Sequence, residues 1–239
     1  MKSLVRFSTP IHFPRFAAAL MPLLGLGALA AFGVGLYFAL FNSPPDYQQG
    51  ETVRIMYLHV PAAWMGMGLY LAMALVAATG FVSKHVIADI FCVAAAPVGA
   101  VFTALCLITG SLWGKPTWGA WWVWDARLTS VLILFLLYCG YMALRSSFDD
   151  DRRGGKAGAI LLLIGAVNIP LIKFSVEWWN TLHQGDSLLR KGGPLMPPEM
   201  IRPLLIMGTA YALLAAFLVL QRMRSVILKR QIARACEEA

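Results

Sequence analysis

Residues 88–112 read ADIFCVAAAPVGAVFTALCLITGSL, and after Asp89 no charged side chain appears until Lys115. An apolar run of about 20 residues is long enough to cross the ~30 Å hydrocarbon core of a bilayer as a helix. Outward from it lie five more runs: Phe16–Phe41, Ala62–Val82, Leu128–Leu144, Ala157–Phe174 and Pro203–Leu220. The chain is 239 residues long and 59% hydrophobic, with a mean hydropathy of +0.68, a balance that argues against a soluble domain. A backbone in lipid must satisfy its own hydrogen bonds. The expected fold is therefore all-α: a polytopic membrane protein of six transmembrane helices, with residues 1–239 forming one membrane domain. The first run is too long for a signal-peptide h-region and is read as a retained helix.

The net charge of +8 does not point to nucleic acid once its distribution is read. With the N-terminus inside, 13 Lys and Arg fall on that side and 7 on the other. The positive-inside rule then places both termini in the cytoplasm. Cys92, Cys106, Cys139 and Cys236 form no C-x-x-C or C-x-x-C-H, so small apolar packing is their expected role. No H-E-x-x-H or G-x-S-x-G occurs, and Gly110-x-x-x-Gly114-Lys115-Pro116 is too short for a phosphate loop and has Pro where Ser or Thr is needed. The chain is expected not to be an enzyme.

Directly after the central run, residues 113–127 read WGKPTWGAWWVWDAR and hold five of the eight tryptophans. Trp normally anchors helix ends singly; five together, beside Asp125 and Arg127, could make a flat apolar platform with polar edges. An enlarged aromatic belt is the competing reading. Gly114, Pro116 and Gly119 argue against helix at the start of the segment. From Trp118 onward, Trp118, Trp121, Trp122 and Asp125 share a face at helical spacing, and Trp124 falls about 100° away from Asp125.

Of four histidines, His12 and His85 fall on the cytoplasmic side, and His59 and His183 on the side of the tryptophans. His59 suits the first turn of the second helix, just ahead of Pro61. His183 is expected on a helical extension of the fifth span, one turn after Trp179. A lone interfacial histidine is ordinarily just solvated. Two on the platform side raise axial ligation of a haem iron, since neutral imidazole is a good iron ligand. Trp118, Trp121 and Trp122 could face the porphyrin, with Trp124 joining if the loop departs from ideal helix. Arg54, Lys115 and Arg127 could meet the propionates, although contact with lipid headgroups would also account for them.

These residues resemble a known family. Trp113-Gly-Lys-Pro-x-Trp-Gly-x-Trp-Trp-Val-Trp-Asp125-Ala-Arg-Leu-Thr-Ser130 resembles the "WWD" signature of haem-handling membrane proteins. Tyr57-Leu-His-Val-Pro-Ala-Ala63 and Ser175-Val-Glu-Trp-Trp-Asn-Thr-Leu-His-Gln184 are similar to the two histidine segments of one branch, cytochrome c maturation protein C (CcmC, or haem exporter protein C). The likeness runs from about Asp46 to about Arg224. It implies a protein of the bacterial inner membrane that holds haem b as transient cargo on the periplasmic face. It also implies delivery to the haem chaperone CcmE, together with the ATPase CcmA, the membrane subunit CcmB and the small CcmD. On that carry-over His59 and His183 are the axial ligands, and Trp113, Trp118, Trp121, Trp122, Trp124 and Asp125 form the haem and chaperone platform. A b-type electron-transfer cytochrome and a haem or solute permease subunit are the alternatives, the latter hinted at only by Asn168 and Pro170.

Overall fold

A computed structural model describes residues 10–83, 86–183, 185, 188 and 192–237. Among them the architecture is helical, and six segments are long and apolar enough to cross a membrane. Helix α1 (Phe13–Tyr37) continues into a π turn at Phe38–Asn42. A 3₁₀ turn at Glu51–Ile55 leads into α2 (Met56–Ser83). Then come α3 (Val86–Trp118), α4 (Ala126–Ser146), α5 (Asp151–Gly165), α6 (Asn168–Trp178) and α7 (Pro198–Glu237). Helices α5 and α6 together make the fifth span. His85 lies outside the described residues.

The bundle centres on α3, the most buried of the six spans, packed between α2, α4 and α7. Lipid offers no hydrophobic drive for helix association, so close approach through small residues carries the packing. A Cβ on Gly99 would sit 2.2 Å from the Tyr138 hydroxyl, which itself donates to the Gly66 carbonyl across the helices at 2.7 Å. Tyr70 meets Tyr138 edge-on, with ring centroids 5.2 Å apart. Helix α1 lies along α7, with Phe32 against Tyr211 at 5.3 Å.

The fifth span carries a break, and one expectation from the sequence needs correction. The break falls at Ala166–Val167, because Pro170 has no N–H to offer the Ala166 carbonyl. That carbonyl accepts instead from the Ile169 N–H at 3.1 Å, and Asn168 donates across to the Ser130 carbonyl at 2.8 Å. The tryptophan segment inverts the expected pattern. Helix α3 runs on through Gly114 and Pro116 to Trp118, whereas residues 119–125 are not helical. Pro116 is tolerated in the last turn, where the Thr117 hydroxyl bonds the Trp113 carbonyl at 2.8 Å and Lys115 Nζ bonds the Gly119 carbonyl at 3.0 Å. Gly119 stops the helix with φ of +77°, a conformation open to glycine at no steric cost.

At the end of the bundle where α1 begins and α7 ends, Asp89, Arg145, Asp151 and Arg230 close a ring of ion pairs over α3, α4, α5 and α7. Arg145 reaches Asp89 at 3.3 Å and Asp151 at 3.4 Å, while Arg230 reaches them at 3.0 and 3.1 Å. The Arg145 side chain is only 9% exposed and that of Asp151 is 68% exposed. Removing the partner of a buried charge costs about 3–5 kcal/mol, whereas an exposed pair contributes about 0–1 kcal/mol. Asp89→Ala should therefore lower the thermal midpoint of the detergent-solubilised protein clearly more than Asp151→Ala. Equal midpoints for the two variants would contradict the ring. Six spans also place Lys115 and Arg153 on opposite faces. In a background without Cys236, cysteines at the two positions should be labelled by an impermeant reagent from opposite sides of the membrane.

Candidate functional site

His59 and His183 come to the same end of the bundle, opposite the start of α1 and the end of α7, although they lie 124 positions apart in the chain. His59 occupies the first turn of α2 and turns onto one face of α3. Its Nδ1 lies 3.0 Å from the Cys106 carbonyl and 3.2 Å from the Thr109 hydroxyl. A carbonyl can only accept, and the Thr109 proton is already committed to the Leu105 carbonyl at 2.6 Å. Nδ1 of His59 therefore carries the proton, and the lone pair is on Nε2. Gly110 makes the seat: a Cβ there would stand 2.8 Å from His59 Cε1. Trp113, one turn further on, closes edge-on against the imidazole at 5.7 Å between centroids.

His183 is not on a helix. Helix α6 ends at Trp178, and Trp179 is extended at φ −134°, ψ 155°, so the expected one-turn spacing of Trp179 and His183 is corrected. The Trp179 and Trp178 rings meet edge-on and both are about half exposed. His183 is held by side chains instead. Its Nδ1 lies 3.4 Å from Asp125 Oδ2, and its ring sits against Trp118 at 4.8 Å. The other carboxylate oxygen, Oδ1, accepts from the Leu128 N–H at 2.7 Å, so Asp125 is at once the N-cap of α4 and the partner of His183. Both imidazoles thus have Nδ1 engaged, and neither Nε2 has a hydrogen-bond partner among the described residues. Two tryptophans of one helix, Trp113 and Trp118, back the two rings.

The remaining aromatic residues divide. Trp121 and Trp124 are 54% and 75% exposed. Trp122 meets Trp124 edge-on at 5.4 Å, and both line an open cavity of about 530 Å³ with Leu107, Ile108, Ser111, Leu112 and Leu132. On a helix of 3.6 residues per turn those α3 positions lie on the face away from Cys106, Thr109 and Gly110, so this cavity is not at the histidines. The basic residues each have a partner. Arg127 bonds Ser175 Oγ and the Lys173 carbonyl, both at 3.2 Å, which ties α4 to α6 beside the site. Arg54 binds Glu51 and the Ala39 carbonyl. Lys115 lies over the Trp121 ring at 6.0 Å.

A family model described as Heme exporter protein C matches residues 3–238. The chain belongs to the Heme exporter protein C (CcmC) family. It is 47% identical to Heme exporter protein C of Bradyrhizobium diazoefficiens over 96% of this chain and 87% of that one. To its Escherichia coli K12 counterpart it is 47% identical over 95% and 91%. A mitochondrial protein of Marchantia polymorpha, named as ccmC-like in cytochrome c biosynthesis, is 44% identical over 82% of each chain.

Four residues of this candidate site were not singled out for it from the sequence. Cys106, Thr109 and Gly110 form the His59 seat, and Gln49 accepts from Trp113 Nε1 at 3.0 Å. Gln49 is presented by a turn in which Asp46 Oδ1 accepts from the Gln48 and Gln49 N–H groups at 2.9 and 2.8 Å. Only the four-residue spacing of Gly110 and Gly114 carried a signal, as a place where side chains approach a helix closely.

Burial lowers the His183 pKa from its ordinary 6.5; Asp125 opposes this and the Arg127 charge adds to it. The folded protein therefore binds fewer protons here than the unfolded chain. This residue's contribution to stability is full above pH 6.5 and falls as the pH drops through the folded midpoint. In ligand-free protein, NMR titration should place the His183 midpoint below 6.5, with Asp125→Asn moving it lower still and Arg127→Gln moving it up. A midpoint at or above 6.5 would contradict this geometry.

Proposed function

We propose that this chain is a haem-binding and delivery protein of cytochrome c maturation, and that His59 and His183 ligate one haem iron through their Nε2 atoms. The observation that carries the reading is the pair of Nδ1 hydrogen bonds. Two separate structural devices, a helix carbonyl and a carboxylate, hold both imidazoles in the tautomer that ligates through Nε2. Ligating histidines are held in this way by their outer nitrogen. The relatives' names, which refer to haem export and cytochrome c biosynthesis, support the same cargo.

Haem is a flat apolar ring with two carboxylates at one edge, and the residues present suit it. Trp113 and Trp118 back the imidazoles and exclude water from them. Arg127 is the best placed of the three basic candidates for a propionate, because it stands two residues from Asp125, the partner of His183. Lys115 and Arg54 are more remote, at the edge of the platform and at the end of α1. Two strong ligands leave the iron no open position, which keeps the cargo from reacting before delivery. Trp121 and Trp124, exposed beyond the site, form the surface that meets the receiving chaperone, CcmE. The CcmA, CcmB and CcmD subunits supply the energy and the complex. The site faces the periplasm and both termini the cytoplasm of a bacterial inner membrane, in line with the 13-to-7 division of basic residues.

The test is the visible spectrum of the purified protein with haem. Parent protein should give the low-spin spectrum of two imidazole ligands. His59→Ala and His183→Ala should each open a position that added imidazole refills, and His12→Ala should change nothing. Gly110→Ala should resemble His59→Ala, because the new methyl displaces that ring. Trp121→Ala should leave the spectrum intact and slow transfer to CcmE. A double His59→Ala, His183→Ala protein with the parental spectrum would overturn the assignment. Rapid, reversible reduction by quinol would favour an electron-transfer cytochrome instead.

A further inference from the structure

The two histidines are held by chemically different partners. His59 stands on a helix, and its Nδ1 meets neutral acceptors, the Cys106 carbonyl and the Thr109 hydroxyl. His183 lies beyond the end of α6, in a segment without helix, and its Nδ1 meets a carboxylate. That carboxylate is itself fixed. Asp125 has extended backbone at φ −90°, ψ 169°, its Oδ1 caps α4 through the Leu128 N–H, and its side chain is only 6% exposed. A group so enclosed offers little surface to a partner protein, although it belongs to the tryptophan-rich segment that does. Its free valence points inward, to His183.

We infer that Asp125 is a positioning residue that acts through His183, holding that ring in place of a helix and making it the stronger electron donor of the two axial ligands. The inference rests on the haem reading given above. A carboxylate accepting from the outer nitrogen of a ligating imidazole raises the ligand's basicity and fixes its orientation, which a neutral carbonyl does less strongly. The iron then has unequal axial ligands, and the more basic one favours the ferric state. No bond is made or broken in this role.

The experiment uses full-length protein with haem bound and reads its midpoint potential. Asp125→Asn keeps an oxygen acceptor and a good N-cap residue but removes the charge. It should keep the low-spin bis-imidazole spectrum while raising the potential, so that the ferric-to-ferrous ratio at a fixed potential falls about tenfold, or about 59 mV for one electron. Asp125→Ala, which removes the acceptor as well, should lose about 10–100-fold in haem affinity. The shift caused by Asp125→Asn should persist in His59→Ala protein refilled with imidazole, and vanish in His183→Ala protein refilled with imidazole. If Asp125→Asn instead loses haem, recovery of the low-spin form with imidazole supports the inference, and failure to recover it overturns it. An unchanged potential, or the same shift in both histidine backgrounds, overturns it too. Those results leave the function intact when the parent is bis-imidazole; a parent without that spectrum removes the function and this inference together.

Discussion

The contact between His59 and the Cys106 carbonyl organises the end of the bundle at which the two histidines meet. It joins the first turn of α2 to the second half of α3, two helices that otherwise meet through apolar and small side chains. A polar ring at that depth is tolerated only with its donor satisfied, because an unpaired buried polar group costs about 1–3 kcal/mol. The carbonyl and the Thr109 hydroxyl satisfy it and in doing so choose its tautomer. Gly110 leaves the space and Trp113 shuts it. Helix α3 then carries on to Trp118, which backs His183, so one helix positions both imidazoles.

The second histidine is placed by a different economy. A helix in lipid satisfies all its own backbone groups, so irregular chain collects at the span ends, and residues 119–125 and 179–183 are such chain. They are tied down by side chains: Asp125 to α4 and to His183, Arg127 to Ser175 and the Lys173 carbonyl, Gln49 to Trp113. At the far end, the ring of Asp89, Arg145, Asp151 and Arg230 ties the other ends of α3 and α4 to α5 and α7. The site is thus a convergence of helix ends held from both sides of the bundle.

Much of this was legible in the sequence. Uninterrupted apolar runs give the spans, since nothing but a helix can hold such a run in lipid, and the tryptophan-rich segment, His59 and His183 are residues that the structure brings to one end of the bundle. Local periodicity misled in the segment itself. Spacing alone suggested a helix after Trp118, but Gly119 at positive φ ends one there, and the cap at Asp125 starts the next. The break at Ala166–Val167 follows from Pro170, which a hydropathy count passes over. The His59 seat was hidden for another reason. Its acceptor is a backbone carbonyl in the middle of an apolar run, and no side-chain pattern reports which carbonyl a distant histidine will reach.

The central claim is that a single iron is held by Nε2 of two histidines whose Nδ1 atoms are bound to the protein. Hyperfine spectroscopy of the ferric haem protein, with histidine labelled selectively with ¹⁵N at one ring position, tests it most directly. Label at Nε2 should produce strong axial couplings from two nitrogens, and label at Nδ1 only weak remote ones. Strong coupling from an Nδ1 label, or from a single histidine nitrogen, would contradict the account.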